Sequence, residues 1–128
     1  MSVDSIRKMS TTFPWPADLD ALVAAPAQHR LLLDNDRVRV LETRIEPGER
    51  TPVHTHQWPA VNHVLSWSAF LRRAPDGAVL LDTRASNDSR RSDQKRSPVF
   101  WGEPLAPHTL ENVGTTPLHL ISVELKTP

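Results

Sequence analysis

His54 and His56 stand one residue apart in the run "TPVHTHQW", residues 51–58, which otherwise reads as a strand. Along a strand, side chains at i and i+2 leave the same face, roughly 6.5–7 Å apart. Two imidazoles placed this way can turn their ring nitrogens toward one ion at about 2.0–2.1 Å. The chemistry to expect of the pair is therefore metal ligation. Two histidines on the exposed face of an edge strand would show the same spacing, so the pair needs support from elsewhere in the chain. Four further histidines are available: His29, His63, His108 and His119. There is no cysteine. Disulfides, thiolate zinc sites and thiol nucleophiles are thereby excluded, and any metal must be bound through nitrogen and oxygen.

The elements that must position these residues are mostly strands. The 128 residues suit one domain with one core. Residues 1–16 read as an irregular arm, because the prolines of "FPWP" favour extended backbone. Residues 17–25, "ADLDALVAA", are the best helix candidate, with acidic residues early and Pro26 just beyond the end. From Arg30 onward short apolar runs recur between turn residues. Asp34-Asn35-Asp36 and Glu46-Pro47-Gly48 read as turns, and Pro75-Asp76-Gly77 as a hairpin turn. Val38 and Val40 alternate with polar residues at period two. "TPVHTHQW" is a third strand, "AVNHVLSWSAFLRR" a fourth with a bend, and "AVLLDTR", "VFW", "HTLEN" and "LHLISVEL" follow. Many short strands with almost no helix imply a sandwich or barrel. The polar stretch "ASNDSRRSDQKRS", residues 85–97, has no apolar periodicity and reads as a solvated loop.

A wider pattern surrounds the histidine pair. "GERTPVHTH" is a glycine, five residues, then His-x-His, and "HTLEN" is a histidine followed after three residues by asparagine. Together these resemble the two motifs of the cupin family, G-x5-H-x-H-x3–4-E-x6-G and P-x-G-x2-H-x3-N. Gly48, His54 and His56 match the first, and His108 and Asn112 the second. The resemblance extends over roughly residues 31–126. It implies an all-β, cupin-type jelly roll (a double-stranded β-helix barrel) over residues 30–128, preceded by an N-terminal arm and short helix over residues 1–29. It also implies one divalent metal inside the barrel, held here by His54, His56 and His108. Zinc, iron, nickel, manganese and copper all suit imidazole ligands, so the set does not choose among them.

The departures from the pattern carry their own information. The family's glutamate falls at Ala60 or Val61, and "VLSW" aligned with the family's usual run selects Ala60; neither side chain can bind metal. The closing glycine of the first motif is Trp67. In the second motif, Glu103 and Leu105 occupy the proline and glycine positions. Three neutral imidazoles leave the full charge on the ion and an open position, where a bound water would have a pKa near 7. An anionic substrate could supply the missing oxygen.

Asn62 shares the inward parity of Ala60 and is a candidate pocket residue. His63 has the opposite parity unless a bulge near Pro59 reverses it. Trp58 and Trp101 flank the motif segments as candidate pocket walls. Glu103 is an outside candidate near the mouth, and Glu111 alternates away from His108. His29 and His119 fall outside both motifs and read as partly exposed strand residues. Arg72 and Arg73 follow a strand; one could clamp a carboxylate, although surface charge is the simpler reading.

The functional expectation is a metal-dependent enzyme, oxygenase-, isomerase- or lyase-like, acting on a small anionic molecule through a three-histidine site. The alternative is a non-catalytic metabolite-binding or sensing cupin, with or without metal. Formal charge balances, 15 basic against 15 acidic residues, which argues against nucleic acid as a partner. No run approaches the length of a membrane span or a signal peptide, so a cytoplasmic protein is expected. The family resemblance implies a homodimer.

Overall fold

The computed structural model describes residues 15–85 and 97–126. Two antiparallel sheets face each other. The first is ordered β1 (His29–Asp34), β2 (Val38–Ile45), β9 (Leu118–Leu125), β4 (Ala60–Ser66) and β7 (Val99–Gly102). The second is ordered β3 (His54–His56), β8 (Leu105–Asn112), β5 (Phe70–Arg73) and β6 (Val79–Asp82). Strands distant in sequence lie side by side, β2 against β9 and β3 against β8, as a jelly roll requires. The expected all-β jelly roll is what the chain forms. Among the described residues, no helix is long and apolar enough to cross a membrane.

The turns act where their residues suggest. Asn35 accepts backbone N–H bonds from Arg37 and Val38 through its side-chain oxygen, closing the β1–β2 hairpin. Gly48 and Gly77 sit at φ of 82° and 94°, a region that side chains with a Cβ avoid. The predicted fourth strand does bend. Its halves, β4 and β5, belong to different sheets, and the corner at residues 67–69 carries the chain between them. The polar stretch 85–97 lies, apart from its ends, outside the described residues, as does most of the N-terminal arm.

One local expectation is corrected. Residues 17–25 are not one helix. They form a 3-10 turn, Ala17–Leu19, then a single α turn, α1 (Ala21–Ala24), separated by Asp20 in extended conformation. Asp20 caps α1 by accepting from Leu22 N–H, but its carboxylate is also gripped by Arg39. That second commitment fixes Asp20 where it interrupts the helix. The period-two alternation expected of β2 is present. Its buried row is Arg39, Leu41, Thr43 and Ile45, while Val38 and Val40 are only half-buried.

The apolar core is small. Ile45, Phe70 and Leu118 are buried together, with Trp67, Leu81, Leu110 and Leu120 packed against them. Each fully buried Leu or Ile contributes about 1.5–3 kcal/mol. Much of the remaining interior is polar and is held by hydrogen bonds. Asn112, 1 % exposed, accepts from Ser68 Oγ and Gly114 N–H, and donates to the carbonyls of Ile45 and Thr116. This asparagine of the second motif therefore ties the β8–β9 turn to β2 and to the corner after β4.

Candidate metal centre

His54 and His108 are directly opposite each other on β3 and β8, their ring centroids 4.4 Å apart. His56 follows on the inward face of β3, 5.0 Å from His54 and 5.8 Å from His108. The structure thus brings together the three histidines that the motifs pointed to. It adds a fourth. His29, the first residue of β1, lies 4.8 Å from His54 and 5.3 Å from His56, ring to ring. One ligand nitrogen from each of His29, His54 and His56 can be chosen so that all lie within 4.8 Å of one another; His108, expected as the third ligand, stands outside that set, its ring next to His54 but 5.8 Å from His56. The reading of His29 as a partly exposed strand residue is overturned: it is 4 % exposed. It was missed because it precedes both motifs, and its burial depends on α1 and the Asp20–Thr55 bridge closing over the end of the barrel.

The hydrogen bonds around these rings decide which nitrogen faces inward. Nδ1 of His54 lies 2.9 Å from the Pro52 carbonyl, Nδ1 of His108 2.7 Å from the Ala106 carbonyl, and Nδ1 of His29 3.0 Å from the Ala25 carbonyl. A carbonyl oxygen can only accept, so Nδ1 carries the proton and donates it. In each ring the lone pair is left on Nε2. Nδ1 of His56 lies 3.5 Å from Glu124 Oε2, a carboxylate acceptor that favours the same tautomer. Protonated Nδ1 bonded outward, with Nε2 free, is the arrangement that metal-binding histidines adopt.

Glu124 enters from β9 and is 1 % exposed. It is the register partner of Ala60, the position where the resemblance expects a glutamate. A carboxylate is therefore present beside the gap, supplied by the neighbouring strand. It is already engaged: Arg39 Nε donates to Glu124 Oε1 at 2.6 Å, and the Arg39 guanidinium grips Asp20 with two bonds of 2.8 and 3.0 Å. Trp58 covers this arginine, 4.9 Å from ring centroid to guanidinium carbon. The buried chain Asp20–Arg39–Glu124–His56 joins the N-terminal segment to the histidine cluster.

Burial holds the imidazoles neutral. Desolvation first, then the neighbouring ring charges, lowers His29 and His56 to about 3 and His108 to about 2. His54 is lowered by desolvation as well. Desolvation raises Glu124 above the ordinary carboxylate range, although Arg39 works against that rise. Neutral imidazoles at neutral pH are the form in which histidine binds metal.

The cluster sits at one side of a cavity of about 440 Å³. Asn62, Trp58 and Trp101 line it, as does Glu103 at the mouth, whose carboxylate accepts from Trp101 Nε1 at 2.6 Å. Asn62 is buried and accepts from Ser122 Oγ. His63 does not line the cavity; β4 runs without a parity reversal before it, and the ring is exposed on the outer face. Glu111 pairs with Arg73 at 2.8 Å, and His119 with Glu42 at 2.7 Å, both away from the cluster. Arg72, by contrast, lines the cavity.

No family model matches the sequence, and no curated protein does. Solved structures do. A cupin domain from Bordetella pertussis superposes with a TM-score of 0.55 at 22% identity, covering 77% of this chain and 92% of that one. A protein with a double-stranded β-helix domain from Klebsiella pneumoniae gives a TM-score of 0.48 at 17% identity, covering 98% and 82%. A polyketide cyclase from Streptomyces resistomycificus gives 0.46 at 20%, covering 76% and 63%. At these identities the likeness speaks to the fold.

Proposed function

From the cupin fold as premise, we propose that this chain is a metalloprotein whose ion is held by His54 and His56 together with His108 and His29, and that it acts on a small molecule in the adjoining cavity. One observation carries the reading. Four neutral imidazoles, those of His29, His54 and His108 buried and that of His56 half-buried, meet in one cluster, and every Nδ1 is bonded to an acceptor. A barrel that only needed filling would bury apolar side chains there, because unpaired ring nitrogens are costly to desolvate. The donor set fits a divalent transition metal and does not select among zinc, iron, nickel, manganese and copper.

When bound, such an ion supplies Lewis acidity, undiminished by any anionic ligand among the imidazoles. The chain's own residues do the rest. The carbonyls of Ala25, Pro52 and Ala106 fix ring orientation. Glu124, braced by Arg39, orients His56 and is the buried carboxylate nearest the cluster for holding a proton. Apolar walls, among them Phe70, Leu110 and Leu118, exclude water from the far side. An oxygenase-, isomerase- or lyase-like reaction is in keeping with this arrangement. A non-catalytic metabolite sensor would use the same ligands, and turnover separates the two.

The homodimer suggested by the family resemblance belongs to the same proposal; sedimentation as a monomer at micromolar concentration contradicts it. The test of the metal reading is elemental analysis of untagged protein purified without chelators. One ion per chain is expected, and less than a tenth of that in the His54→Ala/His56→Ala double variant. Equal, trace metal in both contradicts the reading.

A further inference from the structure

Arg72 lines the cavity and takes no part in the metal site. It lies two residues after Phe70 on β5, so both side chains leave the same inward face. The guanidinium carbon sits 5.8 Å from the Phe70 ring centroid. Its register neighbours are Leu110 on β8 and Leu81 on β6, both lining the cavity. The adjacent Arg73 points the other way and is neutralised by Glu111.

Among the described residues, Arg72 has neither an ion pair nor a hydrogen bond, and its Nε is buried without a partner. This is unusual. A guanidinium carries five donors, and one that is half-buried with its Nε shut off from solvent normally finds a partner for it. Burial lowers its proton affinity and no carboxylate restores it. Its charge also reaches the cluster, where it opposes protonation of His54, His56 and His108. The carboxylates of the cavity do not answer it: Glu124 is held by Arg39, and Glu103 is exposed at the mouth beside Trp101.

We infer that Arg72 is an anion receptor, and that the ligand of this cavity is an organic carboxylate whose apolar body lies against the Phe70, Trp67 and Leu81 side of the pocket. The planar fork of a guanidinium matches a carboxylate with two parallel bonds. A single unpaired cation suits a single negative group, and the mostly apolar lining suits an aryl or alkyl body. The volume lies within the roughly 300–1,000 Å³ of small-molecule sites. The inference rests on the pocket reading given above, and it does not require the ion to be present.

The probes are 2-naphthoate and its neutral isostere 2-naphthamide, titrated calorimetrically into the protein as purified and after chelator treatment. The variants are Arg72→Met and Arg72→Lys. Naphthoate is expected to bind at least tenfold more tightly than the amide in both metal states. Arg72→Met should abolish that preference, and Arg72→Lys should keep part of it. Because Met removes a half-buried, unpaired charge flanked by Leu110 and Leu81, the melting temperature of ligand-free Arg72→Met should not fall, and its metal content should equal that of the parent. Equal affinity for the two probes, or no binding of either at millimolar concentration, overturns the inference. So does a carboxylate preference that survives in Arg72→Met but vanishes on chelation; that pattern would place the anion on the metal and leave the metalloprotein reading standing. A preference that survives chelation and is lost in Arg72→Met upholds the receptor, even if elemental analysis finds no ion.

Discussion

Acidification from pH 7.5 to 5.5 should destabilise the metal-free protein strongly. The cause is the cluster itself. His29, His56 and His108 stay neutral in the folded state down to about 3, 3 and 2, whereas an unfolded histidine protonates near 6.5. Folded values lie below unfolded ones, so the unfolded chain binds more protons as pH falls. Stability is complete above about pH 6.5 and is lost progressively toward the folded values. At pH 5.5 each such histidine costs about 1.4 kcal/mol, so three cost about 4 kcal/mol, and His54 adds in the same direction. Against a total stability of roughly 5–15 kcal/mol this is a large fraction. For a chain of this size it corresponds to a fall in melting temperature on the order of 10–20 °C. Chelator-treated protein should be melted by circular dichroism between pH 7.5 and 5.5. His29→Gln, which can still donate to the Ala25 carbonyl, should show a loss smaller by about 1.4 kcal/mol over the same interval. A melting temperature that moves by less than about 3 °C across the interval would refute the reasoning, because it would mean that the rings protonate in the folded state.

Other outcomes follow from the same contacts. Arg39→Met leaves Asp20 and Glu124 buried without their cation and should destabilise the fold by about 3–5 kcal/mol in urea unfolding. Glu124→Gln keeps the shape but weakens the hold on His56, and metal affinity measured by competition with a chelator should fall by roughly 10–100-fold. Asn112→Ala removes an amide that makes four hydrogen bonds and should cost about 2–4 kcal/mol, with the metal-loaded protein still binding its ion. Gly114→Ala should also destabilise, since its Cβ would fall 2.1 Å from Ser68 Oγ and 3.0 Å from the Ala69 nitrogen.

The sequence made some of this arrangement legible and hid the rest for physical reasons. His54 and His56 were readable because strand geometry alone puts i and i+2 on one face. His108 was readable only through the motif, since 51 intervening residues separate it from His56 and nothing local announces that β3 and β8 will pair. His29 carried no signal, because its place is set by tertiary closure. The period-two alternation of β2 did not say which row is buried: Arg39 turns inward because its partners, Asp20 and Glu124, are 19 and 85 residues away. The carboxylate beside the histidine cluster was hidden in the same way. A motif scan finds Ala60 and reports a gap, while the fold places Glu124 across from it. Arg72 and Arg73 show the limit of local reasoning. They are adjacent and alike, and only the sheet decides that one meets Glu111 and the other faces the cavity.

If imidazoles from three separate strands serve one ion, X-ray absorption at the metal edge of the protein as purified will show a first shell dominated by nitrogen at about 2.0–2.1 Å, with the outer-shell scattering of three or four imidazole rings. An oxygen-dominated shell lacking imidazole scattering, or metal content too low to give an edge, would contradict it.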